Sequence, residues 1–323
     1  MSKPKLYIPG PVEIAPETYT AMAEPMIGHR GKDFEELYAD IQPALKQIAG
    51  TSRNVYLSTS SAWGVMEASI RNLVQTKVLN LCCGAFSDKW YSVAKSCGKN
   101  AEKIQVEWGE SIDPEAVREK LAEGGFDTVT LVHNETSTGV MNPLKEIAEV
   151  VKSFDGVLLV VDTVSSFSAV PTPMDEYGID VLLAGVQKAL ALPPGLAVFG
   201  VSEAALERAE TTPDRGYYFD FLEFAKADVK NNTPSTPSIA LLYALREKVQ
   251  SIMAEGLENR YARHAKLNGM LNDWATKHGL KNLAADGYQS KTLLCVENDK
   301  DIDVPAFVKA VREKHNILIN GGY

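Results

Sequence analysis

Short apolar runs alternate with amphipathic stretches between residues 55 and 201. The apolar runs lack a period of two, which indicates strands that are buried on both faces. The predicted strands are 55–57, 78–82, 103–106, 128–132, 157–161, 181–184 and 196–201. The predicted helices between them are 62–74, 87–97, 113–123 and 143–153. This alternation predicts an α/β fold, in which a mostly parallel seven-stranded sheet has helices on both faces.

The remaining segments predict a large domain between an N-terminal arm and a smaller C-terminal domain. Residues 1–20 contain four prolines and predict an extended arm, because proline and the residue before it resist helix. The large domain is predicted over 21–237, where helical spacing at 33–49 ends at Gly50. Over 238–323 we expect an interdomain helix followed by an α/β domain.

The C-terminal part begins with helical spacing over 238–278, in which Gly256 is expected to bend or divide the helix. A strand over 291–296, a helix over 304–314 and a strand over 317–319 are predicted to follow. An α/β layer of this kind normally continues with a further strand and helix. We therefore expect the C-terminal domain to be truncated.

Composition narrows the class of protein without identifying it. Of the 323 residues, 45% are hydrophobic and 23% are charged, which is typical of globular proteins. The net charge of −9 argues against nucleic acid as a partner, since proteins that bind it carry basic faces. The four cysteines include no CxxC pair and no zinc spacing, so we expect no metal site. No apolar run resembles a signal peptide or a membrane span, which together with reduced thiols favours a cytoplasmic protein.

Two residues at predicted strand ends could carry chemistry. Asp162 follows the apolar run 157–161, and Lys188 follows the run 180–184. Ligands bind beyond the carboxyl ends of strands in open parallel sheets, and burial there makes a lysine nucleophilic by lowering its pKa. Asp162 and Lys188 are 26 positions apart, which leaves room for one crossover and one strand. Both side chains could therefore face one crevice.

An acid and a lysine in one crevice suit pyridoxal 5′-phosphate (PLP), because the acid pairs with the ring nitrogen and the lysine forms an imine with the aldehyde. Each residue also has a simpler interpretation. Asp162 could cap a helix or form a turn, and Lys188 could be a solvated loop lysine.

Three further segments lie at predicted strand ends or helix starts. Residues 59–64 place hydroxyl and backbone N–H groups at a helix start, which could hold a phosphate or form an ordinary cap. Phe86 follows the strand at 78–82 and could stack on a flat ring or belong to the core. Residues 133–139 form a polar cluster after the strand at 128–132, at the same rim of the sheet.

The combination of these segments resembles the class V aminotransferases of PLP fold type I, especially the alanine–glyoxylate, serine–pyruvate and serine–glyoxylate group. The most specific segments are 133–139 (HNETSTG), 161–165 (VDTVS) and 187–195 (QKALALPPG), which have the order and spacing of that family. The resemblance covers nearly the whole chain. It implies a transaminase that moves an amino group from alanine or serine to glyoxylate or pyruvate, in a homodimer with shared active sites.

The resemblance also implies a role for each residue near the ring of the cofactor. Lys188 would be the Schiff-base lysine, and Asp162 would be the partner of the pyridine nitrogen. Val164 would pack under the ring and Phe86 would stack on its other face. Thr136 would hydrogen-bond the ring oxygen.

Other residues are implied to contact the phosphate and the substrate. The residues that would surround the phosphate are Ser61, Ala62, Trp63 and Gln187. Thr236 resembles the threonine that reaches the phosphate of the neighbouring subunit. The residues that would line the substrate side are Pro9, Gly10 and Pro11.

One feature departs from the family. Its members bind the α-carboxylate of the substrate with an arginine that lies beyond the point where this chain ends, and Arg312 does not match that motif. A catalytically impaired dimeric subunit or fragment is therefore one alternative. A phosphoserine aminotransferase is another, with His29 and Arg30 as candidate phosphate ligands. A cysteine desulfurase or lyase of the same fold would need a mobile nucleophilic cysteine, whereas the apolar run around Cys295 predicts a buried thiol.

Overall fold

A computed structural model describes residues 3–323 of the chain. Its strands are β1 (Lys5–Tyr7), β2 (Tyr56–Ser58), β3 (Val78–Cys82), β4 (Ala101–Gln105), β5 (Thr128–Val132), β6 (Asn134–Glu135), β7 (Val140–Met141), β8 (Leu158–Asp162), β9 (Val181–Gly185), β10 (Ala197–Val201) and β11 (Ile317–Ile319). Its helices are α1 (Pro16–Met22), α2 (Lys32–Ala49), α3 (Ala62–Leu73), α4 (Ala85–Ser96), α5 (Pro114–Ala122), α6 (Leu144–Lys152), α7 (Met174–Tyr177), α8 (Glu203–Thr211), α9 (Phe221–Asp228), α10 (Ile239–Glu255), α11 (Leu257–Lys277) and α12 (Val304–His315).

Seven strands form one central sheet in the order β2-β10-β9-β8-β5-β3-β4. β10 is antiparallel to both of its neighbours, and the other neighbouring strands are parallel. Each strand of this sheet begins and ends within two residues of a predicted strand, which confirms the mostly parallel seven-stranded sheet. Every residue of β3, β5, β8, β9 and β10 is buried. Burial on both faces explains why these strands are continuous apolar runs in the sequence.

Hydrophobic clusters cover the two faces of the sheet. Successive side chains of a strand point to opposite faces, so Leu159 and Val161 belong to one cluster and Leu158 and Val160 to the other. The first cluster includes side chains from α2, α5, α6 and α10, and the second includes side chains from α3, α4, α8 and α9. These layers fix the carboxyl ends of the strands relative to one another.

The N-terminal segment differs from the extended arm predicted for residues 1–20. Helix α1 begins at Pro16, because the first turn of a helix has no intrahelical partner for the N–H that proline lacks. Before this helix, β1 pairs in parallel with β11, so that Lys5 lies opposite Ile317. The N-terminal segment is thereby joined to the C-terminal part of the chain.

The C-terminal part differs from the prediction at one strand. Within the described chain, residues 291–296 form no strand, and Val296 makes only an isolated bridge to Asn282. An apolar run does not by itself supply the neighbouring strand that a hydrogen-bonded ladder requires. Side chains hold this segment instead, as where Asn268 Nδ2 donates to the carbonyl oxygen of Leu293 at 3.0 Å.

The predicted C-terminal helices and the last predicted strand match the structure. Gly256, with a φ of +82°, divides the predicted long helix into α10 and α11. Helix α12 and strand β11 lie where a helix and a strand were predicted. None of the helices within residues 3–323 combines the length and the apolarity that crossing a bilayer requires.

Candidate active site

The register of the central sheet brings the carboxyl ends of several strands to one edge. Asp162, the last residue of β8, pairs with Val132 at the end of β5 and with Leu183 near the end of β9. Ala197, the first residue of β10, pairs with Ser58, the last residue of β2. Because neighbouring strands lie about 5 Å apart, the segments that follow β2, β5, β8 and β9 form one rim.

Asp162 is buried at this rim and its carboxyl group is held by two donors. Trp90 Nε1 donates to Asp162 Oδ2 at 3.1 Å, and the backbone N–H of Val164 donates to Oδ1 at 2.9 Å. Burial raises the pKa of Asp162 to about 6, whereas the hydrogen bonds from Val164 and Trp90 and the charge of Lys188 act to lower it. The carboxyl group is therefore fixed in orientation, and these interactions offset only part of the effect of burial on its pKa.

Lys188 lies in the loop after β9 and faces Asp162. Burial lowers the pKa of Lys188, and the charge of Asp162 opposes that shift. Among residues 3–323, no side chain or backbone group makes a hydrogen bond or ion pair with the Lys188 amine. The structure thus brings the two predicted catalytic residues together, and it leaves the amine without a hydrogen-bonding partner.

The N-terminal segment packs closely on the Lys188 side chain. Gly10 has a φ of +143°, which strains other residues, and a Cβ atom built on it would lie 2.7 Å from Lys188 Cδ and 3.0 Å from Cε, so a larger residue would also displace the lysine side chain. The backbone N–H of Val12 donates to the carbonyl oxygen of Gln187 at 3.2 Å. The structure therefore places the predicted substrate-side segment, Pro9 to Pro11, directly against the loop of Lys188.

The segment after β2 provides a helix N-terminus at the same rim. Ser61 is the N-cap residue of α3, and its side chain makes no capping hydrogen bond. Ala62 is buried in the first turn, and Trp63 is half exposed with the Lys89 ammonium 5.0 Å from its ring centroid. The N–H groups of a first helical turn lack intrahelical acceptors and favour an anion.

Four other predicted residues lie in the segments around this space. Phe86, in the first turn of α4, and Val164 both pack against the same hydrophobic cluster. The Thr136 hydroxyl lies 2.5 Å from the hydroxyl of Ser165, which belongs to the loop that follows Asp162. The side chain of Gln187 folds back on the strand end, where a Cβ on Gly185 would lie 2.6 Å from its Oε1 atom.

Thr236 is exposed, whereas its neighbours in the segment before α10 are half-buried or buried. Its hydroxyl lies 3.4 Å from His29 Nε2, and the backbone N–H of Ser238 donates to Thr59 Oγ1 at 3.1 Å. Arg30 donates to the carbonyl oxygens of Thr233 and Pro234 at 3.3 and 3.4 Å. Arg30 therefore holds the loop that contains Thr236. To bind a phosphate, Arg30 would have to give up these hydrogen bonds.

The structure adds Trp90 to the site, and it gives individual contacts to Glu135 and His133, which lie in the polar segment predicted at residues 133–139. Trp90 orients Asp162, and its position four residues after Phe86 on one helix was the available signal. Glu135 is fully buried and accepts hydrogen bonds from the backbone N–H of Ser87 at 2.9 Å and from the Ser137 hydroxyl at 2.7 Å, which anchors the start of α4. His133 lies next to the Asp162 strand end, and burial lowers its pKa to about 4, so its ring is neutral at neutral pH.

The structure gives little support to a desulfurase, which needs a reactive cysteine, or to Arg312 as the ligand of the substrate carboxylate. Cys295 Sγ lies 3.4 Å from the carbonyl oxygen of Ser137, and burial raises the pKa of this thiol, which makes it a poor nucleophile. Arg312 is exposed in α12, so it presents no guanidinium in the interior of the site.

The rim has the features that PLP requires. A buried carboxyl group can pair with the ring nitrogen, an amine without a hydrogen-bonding partner can bond to the aldehyde, and a helix N-terminus can hold the phosphate. The raised pKa of Asp162 and the lowered pKa of Lys188 both indicate groups whose charges a cofactor would help to set. The residues present therefore fit the cofactor.

Comparisons with known proteins support the same family. The family model for class V aminotransferases matches residues 18–323. An uncharacterized aminotransferase of Methanocaldococcus jannaschii is 39% identical over 325 residues, which cover 99% of this chain and 84% of the relative. The serine–glyoxylate aminotransferase of Methylorubrum extorquens is 33% identical over 333 residues, which cover 98% of this chain and 82% of the relative.

A solved structure extends the match to the whole fold. The alanine–glyoxylate aminotransferase of Nostoc sp. is 30% identical to this chain and has a TM-score of 0.94, with 100% of this chain and 87% of that chain covered. The sheet order, the rim residues and these relatives agree. The chain belongs to the class V aminotransferases, which are PLP-dependent transaminases of fold type I.

Proposed function

We propose that this aminotransferase moves the amino group of L-alanine or L-serine to a small 2-oxo acid, glyoxylate or pyruvate. The observation that carries the assignment of the site is that Lys188, whose amine has no hydrogen-bonding partner among residues 3–323, faces the buried carboxyl group of Asp162. The substrate class is supported by two of the relatives, which are named serine–glyoxylate and alanine–glyoxylate aminotransferases.

Lys188 is proposed to hold the cofactor and to move the proton. PLP supplies the aldehyde that receives the amino group and the conjugated ring that draws electrons from the substrate. The lowered pKa of Lys188 increases the fraction of its amine that is unprotonated at neutral pH. Nζ of Lys188 can therefore take the proton from Cα of the amino acid as a general base and return it as a general acid.

Asp162 is proposed to keep the ring nitrogen protonated. A cationic ring nitrogen beside the carboxyl group would offset the effect of burial and favour the ionised form of Asp162. The donors from Trp90 and Val164 fix the two carboxyl oxygens, so little reorganisation is needed when that charge pair forms.

The remaining contacts are proposed by analogy with the family. Phe86 and Val164 would lie on the two faces of the ring, and Thr136 would bond its oxygen. The phosphate would be held by Ser61, Ala62, Trp63 and Gln187. Thr236 of a neighbouring copy would complete the phosphate site in a homodimer. The substrate side would be lined by Pro9, Gly10 and Pro11.

The attachment site is tested by borohydride reduction of the PLP-loaded protein followed by peptide mass spectrometry. The expected result is a pyridoxyl group on Lys188. Modification of another lysine, with Lys188 unmodified, would refute the assignment.

The substrates are tested by a donor screen in which the absorbance of the bound cofactor is followed. L-alanine and L-serine are expected to change the absorbance, and glyoxylate or pyruvate is expected to reverse the change. Reaction with O-phospho-L-serine alone would favour a phosphoserine aminotransferase, and release of alanine from L-cysteine would favour a desulfurase. Cofactor binding without a change for any donor would identify a catalytically impaired subunit.

A further inference from the structure

Arg260 lies in the first turn of α11, and only 7% of the residue is exposed. Its Nε donates to the carbonyl oxygen of Ser168 at 2.7 Å, and its Nη2 donates to the carbonyl oxygen of Ala189 at 2.5 Å. Nη2 also lies 3.4 Å from Ser168 Oγ, and Nη1 donates to Glu255 Oε2 at 3.3 Å. One guanidinium group therefore joins the start of α11 to two separate loops.

These loops follow the two strands whose ends form the site. Ser168 belongs to the segment after Asp162, and Ala189 directly follows Lys188. Each loop contains a non-glycine residue with a left-handed φ, +62° at Ser168 and +52° at Ala191. Residues with a Cβ rarely adopt this conformation, and it persists where the surroundings fix it. Arg260 is part of those surroundings in both loops.

The contact pattern suits arginine better than any other side chain. The planar guanidinium presents several donors in a fixed fork, so one side chain can bond two carbonyl groups that point from different loops. Burial lowers the pKa of Arg260 and Glu255 opposes this, but an arginine remains protonated at neutral pH. Loss of the guanidinium would leave the carbonyl groups of Ser168 and Ala189 without this donor.

We propose that Arg260 is a positioning residue that holds the Lys188 loop against the Asp162 loop and so sets the distance between the amine and the carboxyl group. The inference rests on the proposed roles of Lys188 and Asp162, because Arg260 acts only through them. Its own contacts are with backbone carbonyl groups, one serine hydroxyl and one carboxylate.

Arg263 provides a matched control on the same helix. Its Nε and Nη2 donate to Oε1 and Oε2 of Glu255 at 2.5 and 3.0 Å, so it shares the carboxylate partner of Arg260. Its side chain is 46% exposed, and its hydrogen bonds within the described chain reach neither loop. Arg263→Gln therefore removes a neighbouring charge and an ion pair without removing the link between the loops.

The experiment compares the PLP-loaded wild type with Arg260→Lys, Arg260→Gln and Arg263→Gln. Two quantities are measured: the single-turnover rate constant at saturating L-alanine or L-serine, and the pH midpoint of the absorbance of the bound cofactor. Arg260→Gln is expected to lower the rate constant by roughly 10- to 100-fold, because a small displacement of reacting groups has an effect of that size. The pH midpoint is expected to shift by about one unit, because the spacing of the two charges changes. For Arg260→Lys, both quantities should lie between those of the wild type and of Arg260→Gln. Arg263→Gln should match the wild type in both.

An Arg260→Gln holoenzyme with an unchanged rate constant and an unchanged midpoint would overturn the proposal. A lower melting temperature with both quantities unchanged would overturn it too, since the residue would then be structural only. If Arg260→Gln does not fold, Arg260→Lys is tested by the same two criteria. Failure of the proposed function is recognised in the wild type alone, by borohydride labelling of a lysine other than Lys188.

Discussion

The central sheet differs from α12 and β11 in how far its residues are buried. Every residue of β8 and β9 is buried, whereas α12 has no buried residue among those described and every residue of β11 is half-buried. Asp162 is the last residue of β8, and Lys188 lies in the loop after β9. The candidate chemistry therefore lies where the surrounding structure permits the least movement.

Strand β11 reaches the site indirectly, through the N-terminal segment. Strand β11 pairs with β1, which ends two residues before Pro9. The segment that follows β1 packs on the side chain of Lys188 at Gly10. The sheet therefore fixes the reacting groups directly, whereas β11 adjoins them through the N-terminal segment with which it pairs.

Replacement of Lys188 by alanine is expected to have the largest effect. It removes the attachment point and the proton-transfer group together, so amino transfer should fall by roughly 10⁴-fold or more. The fold should be retained, because no hydrogen bond or ion pair of Lys188 is lost within the described chain. The rate of amino transfer and the amount of borohydride-linked cofactor are measured, with the exposed Lys145→Ala as control. Cofactor that remains covalently trapped in the Lys188→Ala protein would contradict the assignment of Lys188 as the attachment point.

The difference in packing is tested by one substitution in two strands. Leu183 in β9 is fully buried, and Leu318 is the half-buried central residue of β11. Leu183→Ala is expected to lower the free energy of unfolding by about 2–5 kcal/mol, because it leaves a cavity in a close-packed core. Leu318→Ala should cost about 1 kcal/mol or less. Denaturant unfolding of both variants measures the difference, and equal losses would show that the two regions are equally well packed.

The same contrast explains how far the sequence predicts the fold. Runs such as 157–161 are buried on both faces by helices that the sequence also predicts, so local pattern and tertiary structure agree there. Residues 293–296 are also apolar, but strand formation depends on a neighbouring strand that the local pattern cannot supply. Helix α1 was missed because the prolines of the first 20 residues were taken to exclude helix, although Pro16 begins one.

The residues of the site also differ in whether the sequence predicts them. Asp162 and Lys188 were predicted because the position after a buried strand is visible in the sequence. Trp90 is 72 positions from Asp162, and Arg260 is 71 positions from Ala189. Contacts of this kind depend on how distant elements pack, so only the structure identifies the side chains that hold the reacting groups.

Asp162→Asn is expected to show how much a buried carboxylate lowers the free energy of unfolding of the cofactor-free protein. Burial raises the pKa of Asp162 to about 6, so the folded protein binds this proton more tightly than the unfolded chain does. The stabilising effect of the bound proton is therefore greatest at low pH and is lost as the pH rises through 6. Relative to wild type, the free energy of unfolding of Asp162→Asn should increase by up to about 3 kcal/mol between pH 4 and pH 7.

Parallel denaturant titrations of the two cofactor-free proteins measure this difference. Burial lowers the pKa of His133 to about 4, which gives stability the opposite dependence on pH, but this effect is present in both proteins and cancels. In the PLP-loaded proteins the difference should favour the wild type at neutral pH, because a cationic ring nitrogen would pair with the carboxylate. A difference that does not depend on pH would indicate that Asp162 is solvated.

Cys295→Ser is expected to have the smallest effect, and it asks whether the C-terminal part carries chemistry of its own. A Cβ built on Gly139 would lie 3.0 Å from Cys295 Cβ, so the side chain is closely packed, and burial raises the pKa of its thiol. Few thiolates form at neutral pH under these conditions, and serine conserves both the size of the side chain and the donor to Ser137. The rate of amino transfer should therefore be unchanged, and neither protein should convert L-cysteine to alanine with a protein-bound persulfide. A persulfide that forms on the wild type and is lost in Cys295→Ser would place a reacting group beyond α11 and contradict the proposal that the reacting groups belong to the rim of the central sheet.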